Sequence, residues 1–315
     1  MKRQFVETLQ EGDRLNDYFV AVRKDLRDQQ NGGKFLGMVF KDRTGEIGGV
    51  LWNNAASVAQ QFEAGDVVHV KGLVATYQDR LQVRVEHVTP IREADYDKRD
   101  LVYVHPDAAQ FVARFRSIMD TLQEPCLVRL TRSFLDDPEF MSRFEAASAG
   151  KRWHHECRGG LVQHCYEMAR LAEVLCELYP NIQRDLLLTG ILLHDIGKLD
   201  EMTHDLSVDY TTAGKLLGHL VIGADIVRRK MDEIPDFPET VRLHLLHCIL
   251  AHHGEYVNGS PVLPKTPEAV ALFHLDNLDA QANAFTRIVE ETRQRGQNWS
   301  DYISLIDRQL WAQQE

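Results

Sequence analysis

A chain of 315 residues with 44% hydrophobic content has room for about two domains and is too apolar to be disordered. Its 36 Lys and Arg against 47 Asp and Glu give a net charge of -11, which argues against a basic protein that coats duplex phosphates. The charged start, MKRQFVETLQEGDR, lacks an apolar stretch, and the longest apolar run, Leu186 to Leu193, is far short of the ~20 residues of a membrane helix; a soluble, cytoplasmic protein with no membrane partner is expected.

Residues 1–95 read as a small β-rich domain. Short β-branched and aromatic runs at 18–22, 35–40, 48–52, 67–74 and 81–88 are separated by turn signals at Gln30-Asn31-Gly32-Gly33, Arg43-Thr44-Gly45 and Gln78-Asp79-Arg80. With a helical stretch at 55–62 between the third and fourth runs, this predicts a five-stranded OB-like barrel, with an SH3-like barrel as the rival. The segment holds 13 basic and 14 acidic residues, so nearly all the negative charge lies in the remaining 220 residues. That makes the barrel the better surface for a polyanion. Phe40, Trp52 and Tyr77 are its candidates for stacking bases, and Lys41, Arg43, Lys71, Arg80 and Arg84 for holding phosphates.

Residues 96–150 read as a helical connector, with apolar residues at helical spacing over 107–122, 127–134 and 140–144. Residues 151–315 are helical in pattern throughout. Helices are expected over 161–179 and 184–193, from Pro238 to Gly254, and from Thr266 onward. The fold class expected is therefore multi-domain α+β: a small N-terminal β-barrel followed by an all-α domain.

Fourteen histidines are present, and eleven fall between His154 and His274. The five cysteines form no C-x-x-C pair, which fits a reducing compartment and excludes a zinc finger. Metal chemistry is thus sought among histidines and carboxylates of the helical half. Composition alone yields about one His-Asp pair by chance, and two occur, His194-Asp195 and His204-Asp205. Context separates them. His194-Asp195 ends an apolar run, where an ionised carboxylate costs several kcal/mol unless it is paired or metal-bound, and Lys198 follows three residues later.

Other metal-capable groups have apolar surroundings too. His164 shares a stripe with Met168, Leu171 and Leu175; Asp276 lies among Leu272, Leu275 and Leu278; His219 follows Leu216-Leu217-Gly218; His252-His253 precede Gly254. One shared metal centre would satisfy them together. His204, His244, His247, His274 and the three N-terminal histidines read as ordinary structural or surface residues.

The order His164, then His194-Asp195-Ile196-Gly197-Lys198, then Asp276 resembles the HD superfamily of metal-dependent phosphohydrolases. His219 and His252-His253 resemble its binuclear members. That resemblance implies His164, His194, Asp195 and Asp276 on one metal, and Asp195, His219, His252 and His253 on the other. Adjacent His252 and His253 diverge by about 100° on a regular helix, which is the weakest point of the set. Over the whole chain, the stretch from His154-His155-Glu156 through Arg158 to His164, the segment Gly214 to His219, Ala251-His252-His253-Gly254, and Lys41 to Ile47 with Leu51-Trp52 together resemble the YhaM-type 3′→5′ exoribonucleases.

The resemblance implies hydrolysis of single-stranded RNA, with single-stranded DNA as a second candidate, to nucleoside 5′-monophosphates. Two divalent ions are implied, with Mn²⁺ favoured and Fe²⁺, Co²⁺ and Zn²⁺ compatible with the donors. Asp195 would bridge, and Lys198, then Arg158, would face phosphoryl charge; for Lys198 a salt bridge that orients Asp195 is equally open. Two other functions fit the same residues: hydrolysis of a small or cyclic nucleotide with a regulatory barrel, and nucleic-acid binding with a metal-stabilised helical scaffold.

Overall fold

A computed structural model describes every residue except 30–31, 79, 151–152, 154, 156, 207 and 314–315. The expected turn residues Gln30, Asn31 and Asp79, and His154 and Glu156 of the family stretch, lie outside the described residues. The chain divides into two compact units, 1–104 with 205–207, and 105–204 with 208–315. No helix of the described residues is long and apolar enough to cross a membrane.

The first unit is a closed five-stranded barrel. Its strands are β1 (Arg14–Asp28), β2 (Lys34–Asp42), β3 (Gly45–Leu51), β4 (Val67–Tyr77) and β5 (Arg80–Pro90), in the order β1-β2-β3-β5-β4, with α1 (Ala55–Val58) between β3 and β4. The long β1 closes it. Residues 14–20 pair antiparallel with β4, residues 20–28 pair antiparallel with β2, and a register shift between Ala21 and Arg23 lets the strand change partners. β3 and β5 pair parallel through Gly48 to Val50. Alternation sorts the side chains: Leu36, Met38 and Phe40 of β2 enter a core with Phe19, Ile47, Val68, Val83 and Val85.

That alternation corrects one expectation. Phe40 is fully buried in the barrel core and has no face to offer a base.

The second unit is helical: α2 (Ala108–Met119), α3 (Pro125–Leu135), α4 (Pro138–Ala146), α5 (Gly160–Leu178), α6 (Arg184–Leu193), α7 (Lys198–Glu201), α8 (Thr212–Asp232), α9 (Glu239–Ala251) and α10 (Pro267–Gln294). Beyond α10, short bridges join Trp299 to Trp311 and Ile303 to Arg308. From His105 on, the 96–150 segment belongs to this unit, while residues 96–104 belong to the first. Phe111, Phe115, Leu127, Leu130, Phe134 and Phe144 of α2–α4 share one core with Leu161, Met168, Leu187, Ile191, Leu245 and Leu272, because each of these helices has a single apolar stripe to cover. α6, buried on every side, runs through this core and delivers His194 at its C-terminal cap.

A candidate metal centre and a barrel groove

Five elements bring the expected ligands together. His164 lies on α5, His194 and Asp195 in the turn after α6, His219 on α8, His252 and His253 just beyond α9, and Asp276 on α10. Ligand atoms of His164, His194 and Asp276 lie within 4.8 Å of one another, as do those of His194, Asp195 and His252, and those of His219, His252 and His253. All seven residues therefore form one continuous cluster.

Two glycines allow the approach. A Cβ on Gly197 would stand 2.0 Å from the His219 carbonyl oxygen and 2.7 Å from the Gly223 nitrogen, so only glycine lets the turn after α6 lie against α8. Gly218 interrupts α8 with φ 72° and ψ 157°, a left-handed residue that turns the chain just before His219. α9 ends at Ala251 and Gly254 takes φ 77°. The chain thus turns away right after His253, and the His252 and His253 ring centroids sit 4.6 Å apart.

The histidines share one orientation. Nδ1 of His194 meets the Ile191 carbonyl at 2.9 Å, that of His252 the Ile249 carbonyl at 2.7 Å, and that of His253 the Asn258 carbonyl at 2.9 Å. Nδ1 of His219 meets Glu201 Oε1 at 3.0 Å, and Nδ1 of His164 meets Asp279 Oδ2 at 2.6 Å. Each Nδ1, facing a carbonyl or carboxylate, carries a proton, which leaves Nε2 as the ring atom that a metal could take. Those Nε2 atoms converge: His164 Nε2 lies 3.2 Å from Asp276 Oδ1, His219 and His252 Nε2 each 3.6 Å from Asp195 Oδ1, and His219 and His253 Nε2 are 3.1 Å apart.

His194 Nε2 and Asp195 Oδ1 are buried with no hydrogen-bond partner among the described residues. Acceptors crowded together and lacking donors are costly unless a cation joins them. Imidazole nitrogens with carboxylates suit a divalent transition ion, so the donor set fits a metal.

Charge is arranged to match. Burial alone would raise the Asp195 carboxyl, but Lys198 and His194 outweigh it and hold it well below the usual carboxylate range. Lys198 Nζ lies 2.5 Å from Asp195 Oδ2 and donates to the Ala149 carbonyl at 2.7 Å. Burial pushes the His252 and His253 imidazoles down, toward the neutral form a metal needs. For His164, burial pulls the same way, yet Asp276 and Asp279 prevail and hold it up at about 10, so a metal would have to displace its Nε2 proton.

Residues 161–281 match the family model described as the HD domain, and residues 20–91 match the model described as the OB-fold nucleic acid binding domain. The chain joins an OB-fold domain to an HD domain. HD domains form a metal-dependent phosphohydrolase superfamily, in agreement with a centre of imidazole nitrogens and carboxylates. Among solved structures, part of the chain is similar to the second OB-fold domain of replication protein A from Methanococcus maripaludis, at 24% identity over 30% of this chain and 97% of that one, with a TM-score of 0.25. It is also similar to PriB from Ralstonia solanacearum (15% identity, 25% and 98% covered, TM-score 0.23). A third is a replication protein A heterotrimer bound to ssDNA (19% identity, 29% and 66% covered, TM-score 0.23).

The OB domain carries a groove of about 730 Å³ lined by Arg23, Arg27, Phe35, Trp52, Tyr77 and Arg84, among others. Trp52 and Tyr77 are 54% and 63% exposed, and the Phe35 and Trp52 rings pack at 5.0 Å between centroids. Of the residues expected to meet nucleic acid, Trp52, Tyr77 and Arg84 line this groove. Lys41, Arg43, Lys71 and Arg80 do not; Arg43 instead lies over the Phe5 ring at 4.5 Å. Sequence reasoning missed Arg23, Arg27 and Phe35.

Asp279 and Glu201, which orient His164 and His219, were also missed. Each had a signal: Asp279 is three residues past Asp276 on one helix face, and Glu201 three past Lys198. Arg158 is exposed, and its side chain makes no hydrogen bond or ion pair with a candidate ligand among the described residues.

Proposed function

We propose that the protein is a metal-dependent 3′→5′ exonuclease of single-stranded RNA, with single-stranded DNA a second substrate, releasing nucleoside 5′-monophosphates. One observation carries the hydrolytic half of this reading: every candidate histidine has its Nδ1 tied to an acceptor, which aims the Nε2 atoms and Asp195 Oδ1 at shared space. His164, His194, Asp195 and Asp276 would hold one ion and Asp195, His219, His252 and His253 a second, with Mn²⁺ the favoured metal. Such ions supply Lewis acidity for the attack of water on phosphorus.

The chain's own groups do the rest. Lys198 keeps Asp195 ionised and in place, so that one carboxylate can serve both ions. Arg158, exposed on the approach to α5, offers a cation to the phosphate chain. In the OB domain, Trp52 and Tyr77 supply stacking faces and Arg23, Arg27 and Arg84 supply cations, a combination that grips single strands with little regard for sequence. A domain of this kind suits an oligomer better than a mononucleotide.

The test is a product analysis with Mn²⁺ and with EDTA, using single-stranded RNA in one set and cyclic dinucleotides in another. Nucleoside 5′-monophosphates from RNA, suppressed by EDTA, are expected. Hydrolysis of the cyclic dinucleotide alone would replace this reading with a small-nucleotide phosphohydrolase.

A further inference from the structure

Behind His164, away from the candidate metal, lies a chain of polar groups outside the expected ligand set. The backbone N–H of His155 donates to Asn283 Oδ1 at 3.1 Å, so the Asn283 amide nitrogen is the atom that faces His155 Nδ1, at 3.3 Å. An NH₂ group can only donate, so His155 Nδ1 accepts and its proton sits on Nε2. That Nε2 lies 2.8 Å from Asp279 Oδ2, the same oxygen that meets His164 Nδ1 at 2.6 Å. His155 and Asp279 are 4% and 6% exposed, so water does not compete for these bonds.

We propose that Asn283, His155 and Asp279 form a positioning relay that fixes the proton of His164 on Nδ1 and presents its Nε2 to a metal beside His194 and Asp276. This rests on the metal-centre reading above. α10 supplies both sides of the grip: Asp276 faces His164 Nε2, while Asp279, one turn on, takes Nδ1, and Asn283, four residues further, steadies His155. A carboxylate that accepts two imidazole N–H bonds has part of its hydration replaced, which lowers the cost of burying it. Outer partners of this kind govern metal affinity about tenfold to a hundredfold.

The experiment titrates Mn²⁺ into full-length, EDTA-stripped protein by calorimetry, with the melting temperature of the stripped protein recorded alongside. Asp279→Asn is expected to weaken one class of site about tenfold to a hundredfold, Asp279→Glu to recover part of that loss, and His155→Phe, which fills the same space without the N–H, to weaken it less than Asp279→Asn. Should Asp279→Asn fail to fold, His155→Phe alone decides. Folded variants that bind Mn²⁺ with parental affinity in every site overturn the relay, as does a parent that binds no Mn²⁺. A parent that binds Mn²⁺ but leaves every oligonucleotide intact defeats the nuclease reading and leaves the relay standing.

Discussion

Asp195 occupies the point where charge, burial and coordination meet. It is 2% exposed and 2.5 Å from the Lys198 ammonium; removing one member of such a pair leaves the other buried and uncompensated, at about 3–5 kcal/mol. We expect Asp195→Ala to destabilise the EDTA-stripped protein by that amount in urea unfolding, and Asp195→Ala combined with Lys198→Met to recover most of it. An additive double variant would show that the two side chains act independently. A second buried cation, Lys2 in the OB domain, lies 3.2 Å from the Phe19 ring centroid and 3.4 Å from Asp42. Burial, against the pull of Asp42 and Asp17, lowers it to about 8. The folded barrel thus disfavours its charged form: the cost is complete below pH 8 and disappears as pH rises toward the ordinary lysine value near 10.5. Tyr18, raised to about 12 mainly by burial and then by Asp100, acts oppositely only above pH 10. Barrel stability should therefore rise between pH 8 and 10 by up to roughly 3 kcal/mol, and Lys2→Met should flatten that rise in urea midpoints. At this scale the ligand residue types stood out in the sequence because buried carboxylates and histidines need partners. Phe40 was misjudged because residue type was weighed over strand alternation, which places Leu36, Met38 and Phe40 inward and Phe35 outward.

Elements set the centre's geometry through where they stop. α6 ends at His194, α9 ends before His252, and α8 breaks at Gly218, so two helix ends and a kink, rather than uninterrupted helix faces, carry most of the ligands. Gly197→Ala pushes a methyl into the His219 carbonyl, and we expect a loss of about 1–3 kcal/mol in stability together with weaker Mn²⁺ binding in calorimetry. Unchanged metal affinity would mean that the α7–α8 approach does not position His219. Helix starts were legible, since Pro238 immediately precedes α9 and Thr266 caps α10, its Oγ accepting from the Ala269 N–H. The kink at Gly218 was not: a single glycine within an apolar run has no spacing signature. The five-stranded barrel was legible from five short strands, but the register shift in β1 was not, and it places Arg23 and Arg27 in a groove that alternation from Tyr18 would not have assigned to them.

At the scale of the whole molecule, the contrast between the two domains was readable from composition, because histidines gather in one half and charge balance in the other. The boundary was not, because the helices over 108–146 have apolar stripes that belong to the HD-domain core, and helical pattern alone does not tell which core a stripe covers. If the proposed roles of the two domains hold, they make a kinetic difference. Trp52→Ala with Tyr77→Ala removes stacking worth about 1–3 kcal/mol per base, so KM on long single strands should rise tenfold or more, with kcat and dinucleotide hydrolysis unchanged. An equal effect on both substrates would remove the OB groove from substrate capture. The central claim is that seven clustered side chains form a metal centre that shortens single strands from one end. It is tested most directly with 5′-labelled single-stranded RNA incubated with Mn²⁺, with EDTA, and with the Asp195→Ala protein, resolved at single-nucleotide steps. We expect a ladder that shortens from the 3′ end with Mn²⁺ alone. Intact RNA in every lane, from parent protein that demonstrably holds Mn²⁺, would contradict it.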